Sequence, residues 1–506
     1  MNKDQINDIV QVLLRCDGYK VDHRRQYPVK TEYVYSNWTP RGSRIDGIDE
    51  VVFVGLQRFI DKFITEAWAP FFACTIEEIN EVCAEYERQM LAYLGPNDVG
   101  SAHFKALWLH GKMPLRFCAF PEGSLVPIRV PMLTVENTHE DFGWLVNYFE
   151  TLMSSEMWLA CTSATTARRL RQHLEGFARL TGSPIEFVDW QGHDFSFRGM
   201  QGLEAAKASG LGHLLYFTGT DTLPAIDVVR RYYSGYPEGY LIGGSVPATE
   251  HSVMCAGGED NEYDTFLRLL EMYPAGILSV VSDTWDLWNV VTSVVTRLKS
   301  EILGRDGKLV IRPDSGDPVK IICGDPDAVP GTPAFKGAVE CLWDVFGGTT
   351  SPEGYRVLDS HIGCIYGDSI TDERAVAIQD GLAAKGFASA NIVLGVGSFN
   401  YTYVTRDTFG FAMKATWCQI NGVGHDIFKD PITDNGLKKS AKGRLAVLAP
   451  RAEFREGHFT GQYDGIYLVS QATPEKEARS LLRPVWENGQ WLRKESFDVI
   501  RERARA

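Results

Sequence analysis

No stretch of about 18 uninterrupted apolar residues occurs in the 506-residue chain, so no segment reads as a membrane-spanning helix. The first ten residues, MNKDQINDIV, carry charge where a secretory signal needs an apolar run. Cysteine is present, but it lacks pattern. Ten cysteines lie at 16, 74, 83, 118, 161, 255, 323, 341, 364 and 418, with no C-x-x-C and no close pairing. That excludes a zinc ribbon and a disulfide framework, and leaves buried small hydrophobes in a reducing compartment. A soluble cytoplasmic protein with no membrane association is expected. Net positive charge is also missing: 51 Lys and Arg against 65 Asp and Glu give −14, a field that repels a nucleic-acid backbone. No nucleic-acid partner is expected. The Walker pattern G-x-x-x-x-G-K-S/T and a convincing G-x-G-x-x-G are absent, which disfavours a P-loop NTPase or a Rossmann dehydrogenase.

What is there is an ordinary globular composition, 44% hydrophobic and 23% charged. The length suggests about three folding units. Residues 1–140 mix apolar helical faces around 58–72 with β-rich segments at Val126–Val130 and Met132–Glu136, an α+β region. Two helical segments follow from Phe142 to Leu180, ended by Gly182-Ser183-Pro184. Residues 141–410 read as an α/β barrel-like catalytic domain. Residues 411–506 return to β-like runs, FAMKATWCQI, RLAVLA and GIYLVS, and are expected to pack with the N-terminal region.

From about 185, short apolar runs alternate with helix-length amphipathic segments, the pattern of βα units. The expected strands are Ile185–Val188, His213–Phe217, Ile277–Val281, Leu309–Ile311, His361–Tyr366 and Ile392–Leu394. Their exits read FTGTD, VVSD, IRPDSGDP, YGDS and LGVGS. One acidic or serine residue after a strand is usually a helix cap. Capping needs neither arginine, doubled aspartate nor Gly-x-Gly, so five such exits point to a functional barrel mouth.

Gly395-Val396-Gly397-Ser398 can offer backbone N–H groups to a phosphate. Arg406, Lys414, Lys429, Lys438, Lys439, Lys442 and Arg444 can supply a local positive field, although a solvated charged face explains the last four equally well. The acids Asp221, Asp283, Asp314, Asp317 and Asp368 would repel bound phosphates unless a cation intervened, which suggests Mg²⁺. Asp317 reads equally well as a cap, and Asp368 in Gly-Asp-Ser suits a ribose hydroxyl. His251, preceded by Glu250, can be a tautomer-fixed nucleophile toward phosphate or a structural histidine.

Several segments together resemble the nicotinamide phosphoribosyltransferase family: DGYKVDHRRQYP (17–28), HDFSFRG (193–199), FTGTDT (217–222), GGSVPATEHS (243–252), VVSDTWDLWN (280–289), VIRPDSGDP (310–318), YGDS (366–369), LGVGS (394–398), VTRDTFGFAMKAT (404–416) and FKDP (428–431). The resemblance implies the type II phosphoribosyltransferase fold, an irregular (β/α) barrel with a second β-rich α+β domain built from both chain ends. It implies a homodimer with shared active sites. It also implies transfer of phosphoribosyl from phosphoribosyl pyrophosphate to nicotinamide in NAD salvage, with ATP as co-substrate.

By the same resemblance the base stacks between Phe195 and Tyr19 of the other subunit, Asp221 accepts from the carboxamide, and Arg198 and Arg312 lie around base and ribose. Ser245 and Ala248 join the substrate pocket. Asp283 and Asp314 belong near Mg²⁺, directly or through water, while Gly367, Asp368, Gly397 and Ser398 hold the ribose phosphate region. Arg41, Arg406, Lys414 and Lys429 bind pyrophosphate or nucleotide phosphates, and ATP phosphorylates His251. Two positions depart from the family pattern: Gly363 stands where the family has arginine, and Ser398 replaces a loop glycine. Nicotinate phosphoribosyltransferase is the nearest alternative, opposed by the like charge of Asp221. A glycoside hydrolase and a non-catalytic binding protein are the remaining rivals.

Overall fold

The strand Thr31–Thr39 buries its last six residues, so both of its edges are paired. Antiparallel ladders join it to Ala412–Ile420 on one side and Leu133–Asn137 on the other. The full sheet runs Val423–Asp426, Ala412–Ile420, Thr31–Thr39, Leu133–Asn137, Leu115–Ala119, Arg483–Glu487, Gln490–Trp491. Trp38 stacks on Phe411 with centroids 4.6 Å apart, so the N-terminal and C-terminal parts of the chain share one core. This computed structural model describes residues 1–233, 239–367, 369–429, 441–449, 459–463 and 465–506.

Two compact units are present. One comprises 1–162, 228–236 and 405–506; the other comprises 163–227 and 237–404. The first division falls after Thr162, not at 140, because the long helix Glu150–Thr181 begins against the antiparallel sheet's core, where Met153 and Met157 are buried. Among the described residues no helix is long and apolar enough to cross a membrane. All ten cysteines are free; seven are buried and only Cys255 is exposed.

The second unit is built on a parallel sheet ordered Gly192–Asp194, Ile392–Val396, Ile362–Tyr366, Asp306–Arg312, Ala275–Val281. Isolated parallel bridges link its two edges: Asp194 to Thr220, Gly219 to Gly244, and Ala248 to Ser279. The ring thus closes through segments too short to form ladders, which makes the barrel irregular. The fold class matches the sequence expectation. Its inner strands Ile362–Tyr366 and Ile392–Val396 are nearly continuous apolar runs because both faces are covered.

Two expected strands are not strands. Ile185–Phe187 is a 3₁₀ turn running into the helix Val188–Gln191, and the barrel strand starts only at Gly192. Pro184 lacks a backbone N–H and begins the turn, which a strand inside a ladder does not tolerate. His213–Phe217 is the end of the helix Leu203–Leu214 and its terminal turn; Leu211, Leu214 and Phe217 are all buried. A short apolar run has the same composition in a buried helix end as in a buried strand. Val126–Val130 is likewise shorter than expected, with its strand confined to Leu125–Pro127.

Glycine sets one strand register. Gly276 faces Gly307 across the parallel pair, and a Cβ on Gly307 would lie 2.0 Å from the Gly276 carbonyl oxygen. Gly176, exposed in its helix, has open space around a Cβ. Gly307→Ala should therefore cost about 1–3 kcal/mol by forcing the strands apart, while Gly176→Ala should gain about 0.5–1 kcal/mol from helix propensity. Calorimetry should show opposite shifts in Tm. Equal or reversed shifts would contradict the close pairing.

Candidate active site

Four of the five polar exits lie at the C-terminal ends of parallel strands, after Val281, Arg312, Tyr366 and Val396. The fifth, Thr218–Asp221, holds its place by the bridges at Gly219 and Thr220. Arg312 ends its strand with a side chain only 10% exposed. Its Nε and Nη2 donate to Asp314 Oδ1 and Oδ2 at 3.2 and 3.0 Å, and Nη1 donates to the Thr249 carbonyl at 3.3 Å. A planar fork satisfied at both ends is fixed in orientation. Its guanidinium carbon lies 5.4 Å from the Phe195 ring centroid.

Asp283, 6% exposed, accepts from the Asp314 N–H at 2.8 Å and the Ser315 hydroxyl at 2.5 Å through Oδ2. Its Oδ1 is buried without a hydrogen-bond partner, and His251 Nε2 lies 3.3 Å from it. His251 opens the helix His251–Gly257 and is half exposed. The sequence candidates Arg312, Asp314, Asp283 and His251 therefore form one connected chain. Glu250 turns to Ser252 instead of His251, so Asp283 is the carboxylate beside the imidazole.

A cavity of about 360 Å³ opens beside this chain. Phe195, Asp221, Ser245 and Ala248 line it, as expected, together with Phe187, Trp190 and His193. Asp221 Oδ1 lies 3.0 Å from His193 Nε2. Burial alone would raise the Asp221 carboxyl, but hydrogen bonds from His193 and Ser245 and the charge of Arg312 outweigh it and hold it below the ordinary aspartate value. Arg198 is exposed on the turn Phe197–Gly199 and does not line the cavity. His193 was not singled out in the sequence. Its signal was spacing: residues two apart on an extended segment share a face, which puts it beside Phe195.

Gly367 approaches Asp314 so closely that a Cβ there would lie 2.1 Å from Oδ1. Gly395, expected as part of a phosphate loop, is also a point of close packing. A Cβ on it would meet Gly367 Cα at 2.8 Å and Phe195 Cδ2 at 2.9 Å, so its bareness seats the Phe195 ring. Gly397 precedes the one-turn helix Ser398–Tyr401. Asp368 lies outside the described residues, as do Lys438 and Lys439.

The remaining candidates are on the antiparallel unit. Tyr19 is 64% exposed, with its hydroxyl 3.2 Å from Asp17. Arg41 donates to the Gly410 carbonyl and Arg406 pairs with Asp407. Partial burial, with the charges of Arg41, Lys429 and Lys20, holds Lys414 below the usual lysine range, so these cations form one field. Arg444 is not part of it. That guanidinium binds Glu136 and Glu477 and lies over Tyr35 and Trp417, a partly buried structural pairing. Lys442 sits over Phe428 and 3.9 Å from Asp426.

Comparison with known proteins supplies the class first. The fold resembles a nicotinate-nucleotide pyrophosphorylase from Pyrococcus furiosus, with TM-score 0.56 at 16% identity over 100% of this chain and 96% of that one. It also resembles human nicotinic acid phosphoribosyltransferase, with TM-score 0.53 at 15% identity over 97% and 92%. Residues 190–490 match the nicotinate phosphoribosyltransferase (NAPRTase) family, and 11–89 match the nicotinamide phosphoribosyltransferase N-terminal domain. The fold is that of the type II phosphoribosyltransferases, and the enzyme class is that of a pentosyltransferase.

The chain is 51% identical over 98% of its length to a nicotinamide phosphoribosyltransferase of Acinetobacter baylyi, covering 97% of that protein. Proteins of that name from Mycoplasma pneumoniae and Xanthomonas campestris pv. campestris share 36% over 87% of this chain and 33% over 98%, covering 96% and 98% of their own lengths. The chain belongs to the nicotinamide phosphoribosyltransferase family.

The Asp221 geometry fixes a sign. A carboxyl depressed in the folded state contributes stability above its unfolded value and loses it as pH falls through the folded value. Carboxyl-selective NMR should find Asp221 titrating below about 3.9, the ordinary aspartate value. His193→Leu removes the donor and should move that titration upward. An unmoved titration would show that the 3.0 Å contact does not act on Asp221.

Proposed function

We propose that this protein transfers the phosphoribosyl group of phosphoribosyl pyrophosphate to the ring nitrogen of nicotinamide, releasing pyrophosphate and forming nicotinamide mononucleotide for NAD salvage. The observation that carries the reading is Asp221, a carboxylate on the wall of an aromatic-sided cavity beside Phe195. It can accept from a carboxamide N–H₂, whereas a nicotinate carboxylate would meet like charge. The family's relatives of that name support the same substrate.

The chemistry asks little of an acid or base. Nicotinamide's ring nitrogen is already unprotonated at neutral pH, so the protein's work is alignment and charge stabilisation as the sugar becomes oxocarbenium-like. Phe195 supplies a face for the ring and Asp221 fixes its rotation. Arg312 is too constrained by Asp314 and Thr249 to follow the substrate, so it acts as a preset charge. The field of Arg41, Lys414 and Lys429 suits pyrophosphate, with Arg406 as a further cation. The same reading takes the enzyme as a cytoplasmic homodimer in which Tyr19, exposed on its own unit, completes the base stack of the other subunit.

Mg²⁺ fits in a restricted sense. No group of three His, Cys, Asp or Glu among the described residues can hold a metal, but Asp283 Oδ1 is buried and accepts no hydrogen bond, and Asp314 adjoins it. Mg²⁺ prefers to keep water and substrate phosphate in its shell, so Asp283 and Asp314 would hold an ion delivered with the diphosphate. Such an ion supplies neutralisation of the diphosphate charge. In the proposed ATP coupling, His251 Nε2 faces Asp283 and leaves Nδ1 to attack the γ-phosphorus. ADP departs, and water later cleaves the phosphohistidine.

An assay with both bases tests the substrate. Wild type should favour nicotinamide, and Asp221→Ser should narrow the ratio of kcat/KM values by at least about tenfold, since a polar site can discriminate by up to roughly 10⁴. An unchanged ratio removes Asp221 as selector. The histidine is tested separately: His251→Ala should lose ATP hydrolysis and the acid-labile label from γ-phosphate while keeping slow ATP-independent transfer. Persisting ATPase in that variant would contradict the phosphohistidine.

A further inference from the structure

His193 touches the base pocket without an assigned part in the reaction. Its side chain is 10% exposed, its ring centroid is 4.5 Å from that of Phe195, and Nε2 lies 3.0 Å from Asp221 Oδ1. The other ring nitrogen faces the bare backbone of Gly219, where a Cβ would lie 2.7 Å from Nδ1. Among the described residues Nδ1 has no hydrogen-bond partner, so only the tautomer protonated at Nε2 lets a neutral ring donate to Asp221. The geometry therefore couples one titratable ring to the carboxylate that faces the substrate.

We propose that His193 is a positioning residue that sets base selectivity through Asp221: neutral, it leaves the pair with one negative charge that favours a carboxamide; protonated, it cancels that charge and admits a pyridine carboxylate. This rests on the reading that Asp221 faces the carboxamide. The remaining charged groups around the ring do not offer the same switch. His213 is fully buried between Tyr401 Oη and the Gly219 carbonyl, and burial holds it toward the neutral form. Asp194, on the same strand, accepts from the Ser196 N–H. Arg312 is committed to Asp314, and Lys308, on the cavity wall, has its ammonium lowered by burial. Asp221 itself is held below the ordinary aspartate value. Histidine is the side chain whose charge ordinarily changes between about pH 5 and 8.

The sign follows directly. Preference for nicotinamide over nicotinate is greatest at high pH and falls as the ring gains a proton. The test is the ratio of kcat/KM for the two bases from about pH 5.5 to 8.5, the span of histidine titration. Nicotinate keeps its carboxylate ionised and nicotinamide its amide neutral across that span, and titration of the shared phosphoribosyl pyrophosphate cancels in the ratio. Wild type should lose about fivefold or more of its preference at the acid end, the lower range of coupled-site effects. His193→Gln keeps an N–H donor without a charge, so its ratio should stay near the high-pH wild-type value at every pH. His193→Asn serves as a second uncharged donor if the first variant folds poorly.

A wild-type ratio flat with pH would overturn the proposal without any variant. So would an equal slope in wild type and a folded His193→Gln enzyme. A merely structural histidine would lower both kcat/KM values together and leave the slope intact. Asp221→Ser separates the two levels: a changed ratio in that variant beside a flat wild-type pH profile would sink the His193 role and keep Asp221 as selector. An unchanged ratio in Asp221→Ser would sink the reading beneath both.

Discussion

Arg312 is the charge around which the barrel mouth is arranged. A guanidinium this buried must have its donors satisfied, because an unpaired buried charge costs several kcal/mol. Asp314 satisfies two donors from the loop that follows the same strand, and the Thr249 carbonyl satisfies a third from the segment before His251. Asp314 in turn gives its N–H to Asp283, whose free oxygen faces His251. Three exits are thereby held in one geometry by one cation. Phe195, a fourth, lies under the same guanidinium. Moving Arg312 would disturb Phe195 and the Asp283–His251 contact together, so the cavity wall and the histidine share a support.

The parts of this arrangement that were legible in the sequence were those in which local chemistry and fold agree. IRPDSGDP carries its arginine and aspartate within three residues, so strand exit and charge pair are both visible. The strands Ala275–Val281 and Ile392–Val396 announced themselves as apolar runs ending in turn residues. HLLYF failed because burial, not periodicity, set its composition: it ends a helix packed on all sides. Arg444 failed for a different reason. Its partners Glu136 and Glu477 are remote in sequence, so a run of nearby basic residues left it open between a phosphate field and a solvated face, when it is held in a partly buried ion-pair network. His193 went unassigned because its meaning depends on Asp221, which the barrel bridges bring to it.

Charge is divided between tasks. The chain is acidic overall, which helps solubility and discourages nonspecific polyanion binding. Lys414 nevertheless stands among Arg41, Lys429 and Lys20, and burial together with that crowding lowers its affinity for a proton. Like charges held close in a folded protein cost stability, and in the function proposed above a bound phosphate relieves it. The base cavity has the opposite sign at Asp221, with aromatic walls around it. A substrate pair consisting of a neutral amide and a polyanion is what these two fields can tell apart.

Glycine explains why there is a cavity at all. A regular (β/α) barrel fills its interior with layers of branched side chains and leaves a packed core. Here Gly192, Gly219, Gly243 and Gly395 stand where a Cβ would come within 2.7–2.9 Å of Phe217, His193, Leu214 and Phe195 respectively. Gly244 and Gly363 line the hollow directly. Each glycine in an extended segment sacrifices about 0.5–1 kcal/mol of backbone entropy, and the short bridges that close the ring contribute few hydrogen bonds in return. The long ladder of Ala275–Val281 with Asp306–Arg312, buried along its second half, anchors the edge to which the last of those bridges attaches. The bare positions at Gly244 and Gly363 thus contribute to a hollow of about 360 Å³ walled by aromatic rings and one carboxylate.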